Sequence, residues 1–124
     1  MARIIPIGSD KTREIVAGNT LTLKYTVVDS SNVAVNLTGA QIDFGLSKAR
    51  TLNTFDGSLL VSKSTTTTGV TLTSPTTGKF QVVLQPSDTA TLDGTYYYEI
   101  KLTDASGNVT TLVNGPMYIQ NSLL

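Results

Sequence analysis

Residues Gly94 to Val113, GTYYYEIKLTDASGNVTTLV, constrain the fold of this chain more than any other stretch. Tyr96, Tyr98, Ile100 and Leu102 share one face, and Tyr97, Glu99 and Lys101 share the other. Alternation with a period of two marks a strand with one buried and one wetted side. Asp104-Ala105-Ser106-Gly107-Asn108 follows, with a side-chain acceptor at its start and a glycine that tolerates positive φ. Such a loop joins two antiparallel arms as a hairpin with a bulged connection. Val109 to Val113 is the returning arm. Gly115-Pro116 is expected to break it, which leaves Met117 to Ile119 as a separate last strand. The hairpin holds three of the five tyrosines, so the aromatic packing is expected to start here.

Composition narrows what this hairpin can serve. The 124 residues suit one domain, and nine basic against nine acidic residues leave no formal charge. A neutral chain offers no electrostatic footprint for nucleic acid or an anionic membrane, so neither is expected as a partner. Without cysteine there is no disulfide framework and no thiolate metal site, and without histidine the usual general base is missing. The apolar run in MARIIPIGSD is too short for a secretory leader, which points to folding in a reducing cytoplasm. No catalytic residue, cofactor, metal site or small-molecule substrate is expected, and the chain is read as a non-enzyme.

The remaining segments continue the β pattern. Residues 1–14 read as an N-terminal arm or edge strand. Ile4, Ile5 and Ile7 are apolar enough to dock, and Pro6 keeps them out of a central strand, while Lys11, Arg13 and Glu14 are wet. Residues 15–120 form the body and 121–124 a tail. In Thr20 to Val28, Leu21, Leu23, Tyr25 and Val27 face one way. A turn at Asp29 to Asn32 leads into a short return, Val33 to Leu37. The next strand, Gln41 to Leu46, points Ile42, Phe44 and Leu46 inward, and Gly45 inside it marks a bulge or a close neighbour. Lys48 to Ser58, KARTLNTFDGS, has no period and reads as a long loop carrying Arg50 and Phe55. Strands follow at Leu59 to Ser64, Val70 to Thr73 and Lys79 to Gln85, the last with Phe80, Val82 and Leu84 inward. Pro86 to Leu92 is the one helical piece, a short turn near residues 87–92 capped by Ser87 or Asp88.

Short strands with turn signals every 8–12 residues or so imply an all-β, antiparallel two-sheet sandwich of about seven to nine strands. Tyr96 two residues before Tyr98 has the spacing of a tyrosine corner, with Tyr98 in the slot of the second cysteine of an immunoglobulin domain. The expected fold is therefore an immunoglobulin-like β-sandwich. Asp29 to Asn32 and Asp104 to Asn108 place oxygens at alternate positions as calcium loops do, but no acidic residue completes either shell. Both are read as turns. Alternation leaves only Tyr97 of the three consecutive tyrosines exposed.

Three phrases also carry a family resemblance: LTLKYTVVDSSNVAVNLTGAQIDF (21–44), GVTLTSPTTGKFQVVLQPSDTATLDGTYYYEIKLTDASGNVTTL (69–112) and GPMYI. Together they resemble the immunoglobulin-like domain of tailed-bacteriophage structural proteins, best known as the N-terminal domain of phage baseplate upper proteins. The likeness covers roughly residues 18–119, with VNLTGA, TGKF, L-x-P-S-D-T, GTYYYE and TDASGNV as its marks. It implies a virion structural protein without catalysis, made in the host bacterial cytoplasm and present in multiple copies against other phage virion proteins. With no coiled coil or fibre domain after the last strand, the expected forms are a tail, baseplate or fibre adaptor, or a decoration protein seated on the capsid. A carbohydrate-binding adhesion module is the alternative of another class. Ile4, Ile5, Ile7, Arg13, Arg50, Phe55 and Tyr97 are the expected interaction residues.

Overall fold

The computed structural model describes residues 3–7, 15–48 and 59–122. Its strands are β1 Arg3–Pro6, β2 Ile15–Val16, β3 Leu21–Val28, β4 Gln41–Ser47, β5 Val61–Ser64, β6 Val70–Ser74, β7 Lys79–Leu84, β8 Gly94–Thr103 and β9 Val109–Gln120. A 3-10 turn spans Pro75–Thr77 and a short helix, α1, spans Pro86–Thr89. The strands form a four-stranded sheet, β1-β3-β7-β6, and a five-stranded sheet, β2-β9-β8-β4-β5. The first follows the A-B-E-D order of an immunoglobulin-like sandwich, and β9-β8-β4 follows its G-F-C order.

Alternation dictates which residues close the space between the sheets. Leu23, Tyr25 and Val27 of β3 and Phe80, Val82 and Leu84 of β7 are buried on one side. Ile42, Phe44 and Leu46 of β4 and Tyr96, Tyr98, Ile100 and Leu102 of β8 are buried on the other. Each sheet contributes one aromatic pair. The Tyr25 and Phe80 ring centres lie 5.4 Å apart, and those of Phe44 and Tyr98 lie 6.1 Å apart. Such pairs contribute about 0.5–1.5 kcal/mol beyond the area they bury.

The tyrosine corner forms as its spacing predicts. The Tyr96 hydroxyl accepts from the Asp93 N–H at 2.9 Å and donates to the Asp93 carbonyl at 3.2 Å. One side chain thereby fixes the entry into β8. At α1, it is Asp88 that caps: its Oδ2 accepts the Gln85 N–H at 2.6 Å. The same carboxylate oxygen pairs with Lys63 Nζ at 2.9 Å, tying edge strand β5 to the β7–β8 connection. Thr89, 1% exposed, accepts the Gly18 N–H through Oγ1 at 3.0 Å and holds the turn after β2.

Several segments depart from the sequence reading. The Gly115-Pro116 pair does not break β9, which runs unbroken from Val109 to Gln120. β2 pairs only with Ile119 and Gln120, so Pro116 lies where β9 is a sheet edge, and a proline is tolerated there. The Asp104–Asn108 connection closes as expected, with the Asp104 N–H on the Asn108 carbonyl at 2.9 Å and Gly107 at φ 89°, but the hairpin carries a further bulge at Leu112, between the Ile100–Val113 and Lys101–Thr111 pairs. Val33 to Leu37 is not a strand. It makes a single bridge, Ala34 to Val28, because Leu37 is instead pulled into the core, with its N–H on the Pro75 carbonyl at 2.7 Å. The helix covers only Pro86–Thr89, and the turn at Ser74 to Gly78 closes as a 3-10 turn. β2, too short to show a period, pairs in parallel with β9. Of the two expectations for residues 1–14, the edge strand is the arrangement seen for Arg3–Pro6, which pairs antiparallel with β3.

Candidate functional site

The outer face of the five-stranded sheet holds a groove of about 610 Å³. Register builds it. Glu99 lies opposite Asn114 on one side and Gly45 on the other, Lys101 opposite Asp43, and Tyr97 between Pro116 and Ser47. Gly45 makes neither a bulge nor a slip. Its missing side chain admits Leu59, whose Cδ2 would stand 3.1 Å from any Cβ there. Leu59 is thereby held at the groove wall, 48% exposed.

The groove is lined by both polar and apolar side chains, with Asp43, Glu99, Lys101 and Asn114 beside Tyr97 and Leu59. Gln41 Nε2 donates to both carboxylate oxygens of Asp43, at 3.0 and 2.9 Å. Glu99 accepts from Asn114 Nδ2 at 3.1 Å and lies 3.5 Å from Lys101 Nζ. These contacts leave two carboxylates against one ammonium on the face, oriented but still accessible. Such a set offers hydrogen bonds and one excess negative charge to a ligand. An arrangement of this kind is suited to recognising a ligand through hydrogen bonds and charge.

The expected interaction residues do not converge on it. Tyr97 lines the groove, but it is half-buried rather than exposed, since β8 is an inner strand with neighbours on both sides. Ile4, Ile5 and Ile7 belong to the opposite sheet. Ile4 is half-buried and packs against the core, whereas Ile5 and Ile7 are 39% and 43% exposed. Arg13, Arg50 and Phe55 lie outside the described residues. The residues that the sequence reading did not single out for the site are Asp43, Asn114, Leu59, Glu99 and Lys101. Glu99 and Lys101 were legible beside Tyr97 from alternation alone, but Asp43 and Asn114 reach them only through cross-strand register.

Both Asp-led loops are Asx turns. Asp29 Oδ1 accepts the N–H groups of Ser31 and Val33 at 2.8 and 3.0 Å. Asp104 Oδ1 accepts those of Ser106 and Asn108, each at 2.9 Å. The Asn108 N–H is the largest influence on Asp104. Together with the Asn108 amide and the Ser106 and Gly107 N–H groups it outweighs desolvation and holds the carboxyl below its ordinary range. Among the described residues, no three acidic, histidine or cysteine side chains gather as a metal site would require.

No protein-family model matches the sequence, and no curated protein does. Solved structures are similar in shape. The filamin domain of Lin-41 superposes with a TM-score of 0.50 at 15% identity, covering 96% of this chain and 91% of that one. The PmoD soluble domain from Methylocystis sp. ATCC 49242 (Rockwell) gives 0.50 at 13% identity, with 96% and 90% covered. At such identity the likeness concerns the fold alone, and with the strand order it places the chain among the immunoglobulin-like β-sandwiches.

Proposed function

We propose that this chain is a non-enzymatic structural protein of a tailed-bacteriophage virion, a small immunoglobulin-like adaptor acting through protein–protein contacts in the tail, baseplate or fibre attachment region. The observation that carries the reading is where the resembling phrases fall: each forms a joint of the sandwich. VNLTGA contains buried Leu37 and the positive-φ Gly39. TGKF turns at Gly78 with φ 74°, and L-x-P-S-D-T supplies the Asp88 cap. GTYYYE makes the tyrosine corner and TDASGNV the Asx turn. A likeness that includes these joints fixes the frame, and in this reading the outer sheet faces of that frame make the attachment. Mass spectrometry and immunogold labelling of purified particles from a lysogen or infected culture test this. Repeated copies on the tail or baseplate are expected, labelling on the head would make it a capsid decoration protein, and absence from particles would refute the virion role.

One observation favours a second reading, a carbohydrate-binding adhesion module: the groove sets the Tyr97 ring beside carboxylate and amide groups. A glycan array discriminates the two readings. Binding that is lost in Tyr97→Ala would favour the sugar binder.

A further inference from the structure

The two outer faces of this neutral chain differ in charge. Among the described residues, the strands of the four-stranded sheet contribute Arg3, Lys24 and Lys79 and no carboxylate. Lys24 and Lys79 are exposed, and both lie beside Thr26 and Gln81 on the outer side, where alternation also puts Ile5, opposite Thr26. The outer face of the five-stranded sheet carries Asp43 and Glu99 against Lys101, around a groove walled by Tyr97 and Leu59. The other lysine of that sheet, Lys63, is withdrawn to Asp88.

We propose that a second copy of this chain occupies the groove face: the basic outer face of one copy stacks on the acidic, grooved outer face of the next. Lys24 and Lys79 meet the carboxylates of Asp43 and Glu99, and Ile5 supplies the apolar contact to Tyr97 and Leu59. Because the two surfaces are different, the contact is head-to-tail, and repetition builds a ring or a filament rather than a closed pair. The contact is small. Four strands about 4.8 Å apart and five or six residues long offer a face about 19 Å by 19 Å, well below the ~800 Å² per partner of a stable complex. Association is therefore weak, dependent on concentration, and sensitive to salt, which screens exposed pairs.

Sedimentation velocity on the purified chain, from about 10 µM to about 1 mM at low salt, reads this without any virion, so its outcome is independent of where the protein resides. The expected result is a mass above the 13.2 kDa monomer that rises with concentration and falls on adding salt. Lys24→Glu with Lys79→Glu is expected to weaken self-association by roughly tenfold or more. Asp43→Lys with Glu99→Lys should do the same, and mixing the two double variants should restore assembly, since each then presents the complement of the other. The lysine variant keeps its grooved face and should also shorten wild-type assemblies as a chain terminator, which holds even if the carboxylate variant misfolds. A wild-type chain that stays monomeric throughout, lysine variants that assemble like wild type, or mixtures without restoration when both variants are folded would each overturn the proposal.

Discussion

Gly78 is the position where one added carbon should cost most. It is buried, sits at φ 74°, and closes the turn before β7, where its carbonyl accepts the Val27 N–H at 2.7 Å. A Cβ there would lie 2.7 Å from the Val27 carbonyl oxygen and 2.8 Å from that of Val35. Both are backbone atoms, so no side chain can swing aside. The left-handed conformation costs an alanine about 1–2 kcal/mol. Forcing the β3 and Val35 backbones apart adds about 1–3 kcal/mol, the usual range for overpacking. Gly78→Ala should therefore lose about 2–5 kcal/mol. Gly107 is the control, with φ 89° and nothing within 4 Å of an added Cβ. Gly107→Ala should lose only the conformational part, about 1–2 kcal/mol. Urea unfolding with a shared m-value reads the difference, and each 1 kcal/mol should also move Tm by about 3–6 °C in a domain of this size. Equal losses in the two variants would refute the steric argument.

Tyr98→Ala empties a buried site against Phe44 and should cost about 3–5 kcal/mol; Tyr97→Ala, on the outer face, should cost clearly less, and equal shifts in melting would contradict the burial pattern. Tyr96→Phe keeps the ring but removes both bonds to Asp93, with an expected loss of about 0.5–1.5 kcal/mol by urea titration. Because the Asp104 pKa is depressed below 3.8 on folding, its contribution is complete above that value and is lost as pH falls through the lower folded value. Asp104→Ala should therefore flatten the fall in stability below about pH 4, seen by unfolding at several acid pH values; an unchanged profile would rule out this linkage.

The strands that were legible in the sequence are those whose burial is one-sided. β3, β4, β7 and β8 each sit between neighbours on a sheet with one face on the core, so the pleat writes itself into the residues as alternation. The tyrosine corner was legible because it is local, three residues from Asp93 to Tyr96. What escaped was set by distant partners. Leu37 leaves the strand path because Pro75 offers it a carbonyl, and Pro116 is admitted because β2 covers only the end of β9. The groove escaped for the same reason. Asp43, Glu99 and Asn114 lie on three strands, and only their register brings them onto one surface.

The parallel pairing of β2 with β9 has a mechanical consequence. Ile15 and Val16 lie beside Ile119 and Gln120, and the Ala17 N–H extends the contact to the Gln120 carbonyl at 2.9 Å. Tension applied through the two chain ends first meets the β1–β3 pairing on the N-terminal side; once β1 has come away, it reaches β2 from its start and β9 from its finish. In parallel strands those pulls oppose each other along a common axis. The bonds between them are then loaded in shear, all at once, whereas an antiparallel pair pulled at one end would open bond by bond. A contact of two residues, too short to announce itself in the sequence, is thus the shear-loaded clasp that a load meets between the two ends of this domain once β1 has been peeled from β3.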